Sequence, residues 1–189
     1  MTIKFGLTGS LASGKTTAGK IISKNKGPIF SADLVVKKLY RKYGFKKMIS
    51  DRFNIKSKIN FKAELLKKIL QKKTNLLRLE KIIHPLVRKE MFKFIKKNKN
   101  HKFLFLEIPL LIENKLTNYF DRIIFVKSNK KIRMKRYLAK GGTSKLFKLL
   151  DTKQLKETKK IKYCDYVIVN NNSLTALKKK LYNIIKNYE

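Results

Sequence analysis

Residues 3–17 read IKFGLTGSLASGKTT. The apolar run Ile3–Leu7 has the composition of a strand covered on both faces, and it stops at a turn of small residues. After Gly14 the chain returns to helical spacing, KTTAGKIISKN. Gly9, Gly14, Lys15 and Thr16 fit G-x-x-x-x-G-K-[ST] in the strand–loop–helix context that the pattern requires. Each residue type has a physical reason. Amides can wrap a polyphosphate only where the main chain comes very close, so side chains at Gly9 and Gly14 would obstruct it. Ser10, Leu11, Ala12 and Ser13 supply the amides of an anion nest. The helix starting near Lys15 points its positive end at the same phosphates. Lys15 is spaced to reach the β- and γ-phosphates, and the Thr16 hydroxyl to ligate Mg²⁺; Thr17 joins the same nucleotide-binding set. A tight turn with an incidental lysine would leave the agreement of motif and context unexplained.

Outward from the loop, GPIFSAD reads as a short second strand ending in polar residues, and DLVVKKLYRKYG as a helix. Residues 45–99 are mostly helical in spacing, with FKAELLKKIL and NLLRLEKIIHPLVRKEMFKFIKK the clearest pieces. Pro85 inside the second predicts a break or kink. KFLFLEIPLL and DRIIFVKS are further apolar strands. KKIRMKRYLAKGG is a helix closed by glycines, and SKLFKLLDTKQLKETKK one or two charged helices. CDYVIVNN reads as a last buried strand before a final helix, SLTALKKKLYNIIKNY. Strands separated by helices predict an α/β fold: a three-layer α/β/α core around a mostly parallel sheet. The all-helical middle is an insert between the second and third strands.

With 189 residues, 43% of them hydrophobic, the chain has enough apolar surface for a real core. No segment approaches the roughly 20 apolar residues that cross a bilayer. No signal-peptide pattern opens the sequence, and Cys164 is the only cysteine. The expectation is a cytoplasmic protein without a membrane partner or cysteine metal site. The formal net charge is +36, but the positive residues are spread along the whole chain. A nucleic-acid footprint is a patch rather than a wash, and no RNA- or DNA-binding motif accompanies the charge. A general Lys/Ile/Asn bias accounts for it without a specific nucleic-acid partner, while anionic ligands would still be drawn in.

The order of landmarks narrows the reading. GLTGSLASGKTT is followed by SAD (Ser31–Asp33), then LEKIIHPLVRKE, EIPLLIE, MKRYLAK and DYVIVNN. In this order and spacing the chain resembles the dephospho-CoA kinase family over nearly its whole length. HPL combined with PLLIE is more specific than the phosphate loop. The resemblance implies a P-loop kinase core (1–44, 100–136 and 161–189), a helical insert binding the CoA-type substrate (45–99) and a short helical lid (137–160). It implies transfer of the ATP γ-phosphate to the ribose 3′-hydroxyl of dephospho-CoA, with ATP and Mg²⁺ as cofactors and the two nucleotides as small-molecule partners. A monomer is the expected state. Two alternatives stand beside it: another small-metabolite or nucleoside monophosphate kinase, and a basic nucleic-acid-binding ATPase.

Asp33, just past the second strand, matches the family's catalytic carboxylate, suited to orient the hydroxyl and take its proton; its other reading is a helix N-cap. His84 and Pro85 match the family's HP signature and are expected to shape the acceptor pocket. Arg88, one turn on, is either a phosphate ligand or a solvated cation. Glu107 ends an apolar strand beside the loop, where an acid can hold Mg²⁺. Pro109 and Leu110 match a stretch with pocket and packing duties, and Glu113 reads as a helix-start acid. Arg136 matches a lid-side arginine that neutralises the transferring phosphoryl group. Arginine is scarce in this lysine-dominated chain, and that supports a need for its planar fork. Asn170 matches an asparagine near the adenine. The sequence departs from the family at Ser10 and Ala12, usually glycines, and at Lys62 and Lys140, usually arginines.

Overall fold

The computed structural model describes residues 1–57 and 59–189, the side chain of Lys73 excepted. The chain divides into two compact units, 1–31 with 95–189, and 32–94.

The first unit is built on five strands, β1 (Ile3–Gly9), β2 (Ile29–Ser31), β3 (Phe103–Glu107), β4 (Arg122–Lys127) and β5 (Tyr166–Val169). Their order is β2-β3-β1-β4-β5, and every pairing among them is parallel. β3 is buried along its whole length, as the unbroken run FLFLE demands of a central parallel strand. β5 differs from the sequence expectation of a buried strand. It lies at the sheet edge, with Ile168 inside and Val167 and Val169 each more than two-fifths exposed. Successive side chains point to opposite faces of a sheet, so Ile168 lies on the covered face of β5 while Val167 and Val169 share the face that meets solvent.

Helices α1 (Lys15–Ser23) and α9 (Leu174–Lys186) bring Ala18, Ile22, Leu177, Leu181 and Ile185 onto Phe5, Leu7, Phe105 and Ile124 of the sheet. Phe5 stacks on Phe105 at 5.6 Å and meets Tyr188 edge-on at 5.3 Å. Leu111 and Phe120 close over Gly6, where a Cβ would come within 2.7 Å of Leu111 Cδ1. This unit also holds α6 (Lys130–Leu138), α7 (Ser144–Lys153) and α8 (Glu157–Ile161), so the charged stretch after Gly142 is two helices. Phe147 of α7 is fully buried and packs edge-on against Tyr137 of α6.

The second unit holds α2 (Ala32–Leu39), α3 (Tyr43–Phe53), α4 (Phe61–Gln71) and most of α5 (Lys73–Lys97). Its core follows four-residue steps: Phe45, Ile49 and Phe53 on α3, and Phe61, Leu65 and Ile69 on α4. This unit begins at Ala32, ahead of the insert boundary at 45 that the sequence suggests. The physical reason is Tyr40, just past α2, whose ring packs on Phe45 and Phe61. α5 runs unbroken through Pro85. The proline removes one hydrogen bond to the preceding turn, and the flanking turns keep the helix continuous.

Candidate phosphate-binding and catalytic site

β3 and β4 follow one another in the chain yet lie on opposite sides of β1. The strand order therefore reverses at β1, and ligands of such sheets collect beyond the carboxyl ends of the strands there. The loop 9–14 leaves β1 at that point. Gly9 sits at φ 148°, and a Cβ on it would fall 2.2 Å from Val126 O. Gly14 sits at φ 98°, where a Cβ would meet Asn170 Nδ2 at 2.3 Å. Both glycines are thus required by close approach as well as by backbone conformation. Between them, Ser13 N donates to Ser10 O, closing a tight turn. Gly14 is the N-cap of α1, and no side chain caps the helix where it opens onto the loop.

Lys15 is buried, and its ammonium donates to Gly9 O at 3.1 Å and Ser10 O at 2.8 Å. The cation thus lies folded along the carbonyls of the loop it serves. Thr16 Oγ1 donates to Glu107 Oε1 at 2.5 Å. Glu107 is 1% exposed, and its Oε2 is buried without a hydrogen-bond partner. Register explains the meeting: Glu107 pairs with Leu7 on one side and Ser31 on the other, so it ends level with the start of the loop. A buried carboxylate oxygen without a donor is costly unless a cation or water completes it. One hydroxyl and one acidic oxygen form a hard-oxygen donor pair of the kind Mg²⁺ takes beside phosphate. Among the described residues no group of three or more His, Cys, Asp or Glu forms a metal cage. The residues present therefore fit a Mg²⁺ completed by phosphate oxygens and water.

The loop is held from the side by α6–α8. Arg136 Nη1 lies within 3.3 Å of Ser13 O, Ser128 Oγ and Asn170 O. Asn170 Nδ2 donates to Ser13 O at 2.8 Å, while its backbone N bonds Lys127 O. Both residues brace the loop's main chain. The sequence reading missed several further partners. Arg133 is 6% exposed and donates to Leu11 O at 3.2 Å, to Asp151 Oδ1 at 2.6 Å and to Ser128 O. Gln154 Oε1 accepts from Leu11 N at 3.0 Å, and Glu157 Oε1 from Ser10 Oγ at 2.5 Å. Scarcity of arginine marks Arg133 as much as Arg136, and that signal could have found it. Glu113, read from sequence as a helix-start acid, instead accepts from Leu155 N and pairs with the buried Lys160 at 2.7 Å. It ties the turn after β3 to α8. Pro109 O accepts from Thr8 Oγ1, and Leu110 O from Asn114, so both backbone groups are spent in shaping that turn.

The remaining residues singled out in the sequence lie in the second unit. Asp33 is exposed, in the first turn of α2. Because α2 starts at Ala32, Asp33 is inside the helix and is not its cap. Along the chain it follows Ser31, the partner of Glu107, by two residues. His84, Pro85 and Arg88 share α5. His84 is half-buried, and burial, followed by repulsion from Arg88, lowers its pKa below the ordinary imidazole value.

A strand–loop–helix phosphate cradle at the switch point of a parallel sheet, with a buried lysine and a hydroxyl–carboxylate pair, defines a P-loop kinase fold. A solved shikimate kinase from Acinetobacter baumannii shares that fold at a TM-score of 0.58, with 13% identity over 99% of this chain and 93% of its own. The profile of the dephospho-CoA kinase family matches residues 3–176. The chain belongs to the dephospho-CoA kinase family. It is 35% identical over 179 residues to the dephospho-CoA kinase of Zymomonas mobilis, covering 93% of this chain and 91% of that one. The solved dephospho-CoA kinase of Campylobacter jejuni superposes at a TM-score of 0.67, with 26% identity over 99% of this chain and 97% of that one. No described helix is long and apolar enough to cross a membrane.

Proposed function

We propose that the chain transfers the γ-phosphoryl group of ATP to the 3′-hydroxyl of dephospho-CoA. The observation that carries this reading is the buried Glu107 carboxylate, with one oxygen on Thr16 and the other without a hydrogen-bond partner among the described residues, beside a glycine loop that leads into the N-terminus of α1. The loop amides and Lys15 bind the β- and γ-phosphates, the lysine leaving Gly9 O and Ser10 O to do so. Thr16 and Glu107 would hold Mg²⁺, which when bound would supply neutralisation of phosphate charge. Arg133 and Arg136, with Asn170, fix the loop so that its donors do not reorganise during transfer. Arg136 is also the cation for the phosphoryl group in flight, and Asn170 stands nearest the adenine.

Asp33 orients the acceptor hydroxyl and takes its proton as the hydroxyl oxygen bonds to the γ-phosphorus. The bond to the bridging oxygen breaks and ADP leaves. On α5, His84, kept neutral by burial at pH 7, Pro85 and Arg88 are acceptor-binding residues. In the first unit, Pro109 and Leu110 are assigned the same role. A coupled assay of ADP release decides the acceptor. Dephospho-CoA is expected to support turnover, whereas shikimate, AMP and CMP leave ADP release at background. Equal or faster release with one of those three would replace the proposed acceptor.

A further inference from the structure

The first unit carries a cavity of about 720 Å³ between the end of α1, the turn after it and one flank of α9, with Lys20, Lys24, Lys26, Lys178, Lys179 and Tyr182 in its wall. Its floor reaches the core at Leu181 and Ile185. No carboxylate lines it among the described residues. Lys26 pairs with Glu189, and the other four lysines take part in no ion pair among the described residues. Lys20 and Lys24 stand one turn apart at the end of α1, and Lys178 and Lys179 precede Tyr182 by helical steps of four and three on α9. Like charges gathered around a concavity repel until an anion joins them. An extended polyanion gains most there, because each phosphate that meets a lysine releases a counterion. Tyr182 adds what a bare charge cluster lacks. Its ring is 58% exposed, with Lys26 Nζ 5.9 Å from the centroid. An exposed aromatic ring among lysines holds single strands without regard to sequence, a base stacking on the ring while the cations track the phosphates. An acidic side chain would use the lysines but offers no flat face to the ring. The patch is hidden in the sequence, because residues 20–26 and 175–185 become neighbours only when α9 packs beside α1.

We propose that this cleft holds a segment of single-stranded nucleic acid, its phosphates on Lys20, Lys24, Lys178 and Lys179 and a base against Tyr182, without preference for sequence. The cleft lies at the C-terminal end of α1 and the phosphate loop at its N-terminal end, so the inference stands whichever acceptor the chain phosphorylates. The test is fluorescence anisotropy of the full chain with a labelled oligouridylate of about twelve nucleotides, titrated at several salt concentrations. Tyr182→Ala is expected to weaken binding about tenfold and to leave the salt dependence as it is, because stacking is lost and no phosphate contact with it. Tyr182→Phe should bind as the parent does. So should Tyr163→Ala, which removes a ring of equal 58% exposure outside the cavity. Lys20→Ala/Lys178→Ala should make the log–log salt slope shallower by about 1.4, at about 0.7 for each lost contact. Lys47→Ala/Lys67→Ala removes the same charge from exposed positions outside the cavity and should leave the slope unchanged. No binding by the parent chain, equal changes in the two lysine variants, or binding indifferent to Tyr182→Ala overturns the inference. In the last case a glutamate peptide of matching charge that binds as tightly would identify the cleft as a site for acidic protein segments instead. Circular dichroism checks that each variant is folded, every substituted position being exposed.

Discussion

Ala12 stands at φ 57° in the middle of the phosphate loop, in the left-handed region where a Cβ crowds the following carbonyl. The conformation is imposed by the turn between Ser10 and Ser13 and by the anchoring of Leu11 on both sides. Ala12→Gly is therefore expected to raise stability by about 1 kcal/mol, read as a higher midpoint in chemical denaturation. An unchanged or lower midpoint would mean that the loop carries no such strain. Glu107 offers a second test at this scale. Glu107→Gln keeps the shape and the bond from Thr16 but removes the charge. The Mg²⁺ concentration for half-maximal activity should rise tenfold or more, with far-ultraviolet dichroism unchanged. The loop is legible in the sequence because phosphate binding by amides constrains consecutive residues. Glu107 is legible because an acid ending a fully apolar strand has few reasons to be there. Arg133–Asp151 and Glu113–Lys160 are not, because each pair joins distant elements and only the folded chain brings its members together. In a chain with 48 lysines and arginines, one buried cation looks like any other.

Among the elements, α6 and α7 are joined by a buried ion pair and an aromatic contact on the same arginine. Arg133 donates to Asp151 at 2.6 Å and stacks over Phe147 at 5.7 Å. Removing either partner leaves a charge in a poorly hydrated place. Arg133→Ala should cost about 3 kcal/mol and Asp151→Ala a similar amount. The double variant should cost less than the sum, because each loss removes the reason for the other. Strict additivity in a denaturation cycle would show that the pair is not coupled. α5 carries a pH signature. The pKa of His84 is lowered in the folded chain, so between that value and about 6.5 the unfolded chain binds more protons. Its contribution to stability is whole above about pH 6.5 and is lost as pH falls through the folded value. His84→Gln should flatten the fall in stability below about pH 6.5; an unaltered slope would assign it to other groups. The sequence periodicity shows most elements, including the four-residue apolar steps of α3 and α4. The exposed face of β5 is not visible in it, because YVIV has the same composition at an edge as in a centre. Nor is the continuity of α5, since proline signals a lost hydrogen bond without saying whether its neighbours compensate.

At the scale of the whole molecule, the parallel sheet sets the phosphate loop, Glu107 and the strand leading to Asp33 by register alone, and α6–α8 hold the loop from its other side. The helical unit carries Asp33 in the first turn of α2. The net charge of +36 fits an enzyme with two polyanionic substrates, though it is spread too widely to have pointed to them. On the proposed function, this loop delivers the γ-phosphoryl group of ATP to the 3′-hydroxyl of dephospho-CoA. The most direct measurement is phosphorus NMR of the products after incubation with ATP, Mg²⁺ and dephospho-CoA, beside the Lys15→Ala chain. Stoichiometric ADP and a new 3′-phosphomonoester resonance are expected with the parent chain, and at least a hundredfold less of both with Lys15→Ala. ADP without the phosphomonoester, or the same yield from both chains, would contradict it.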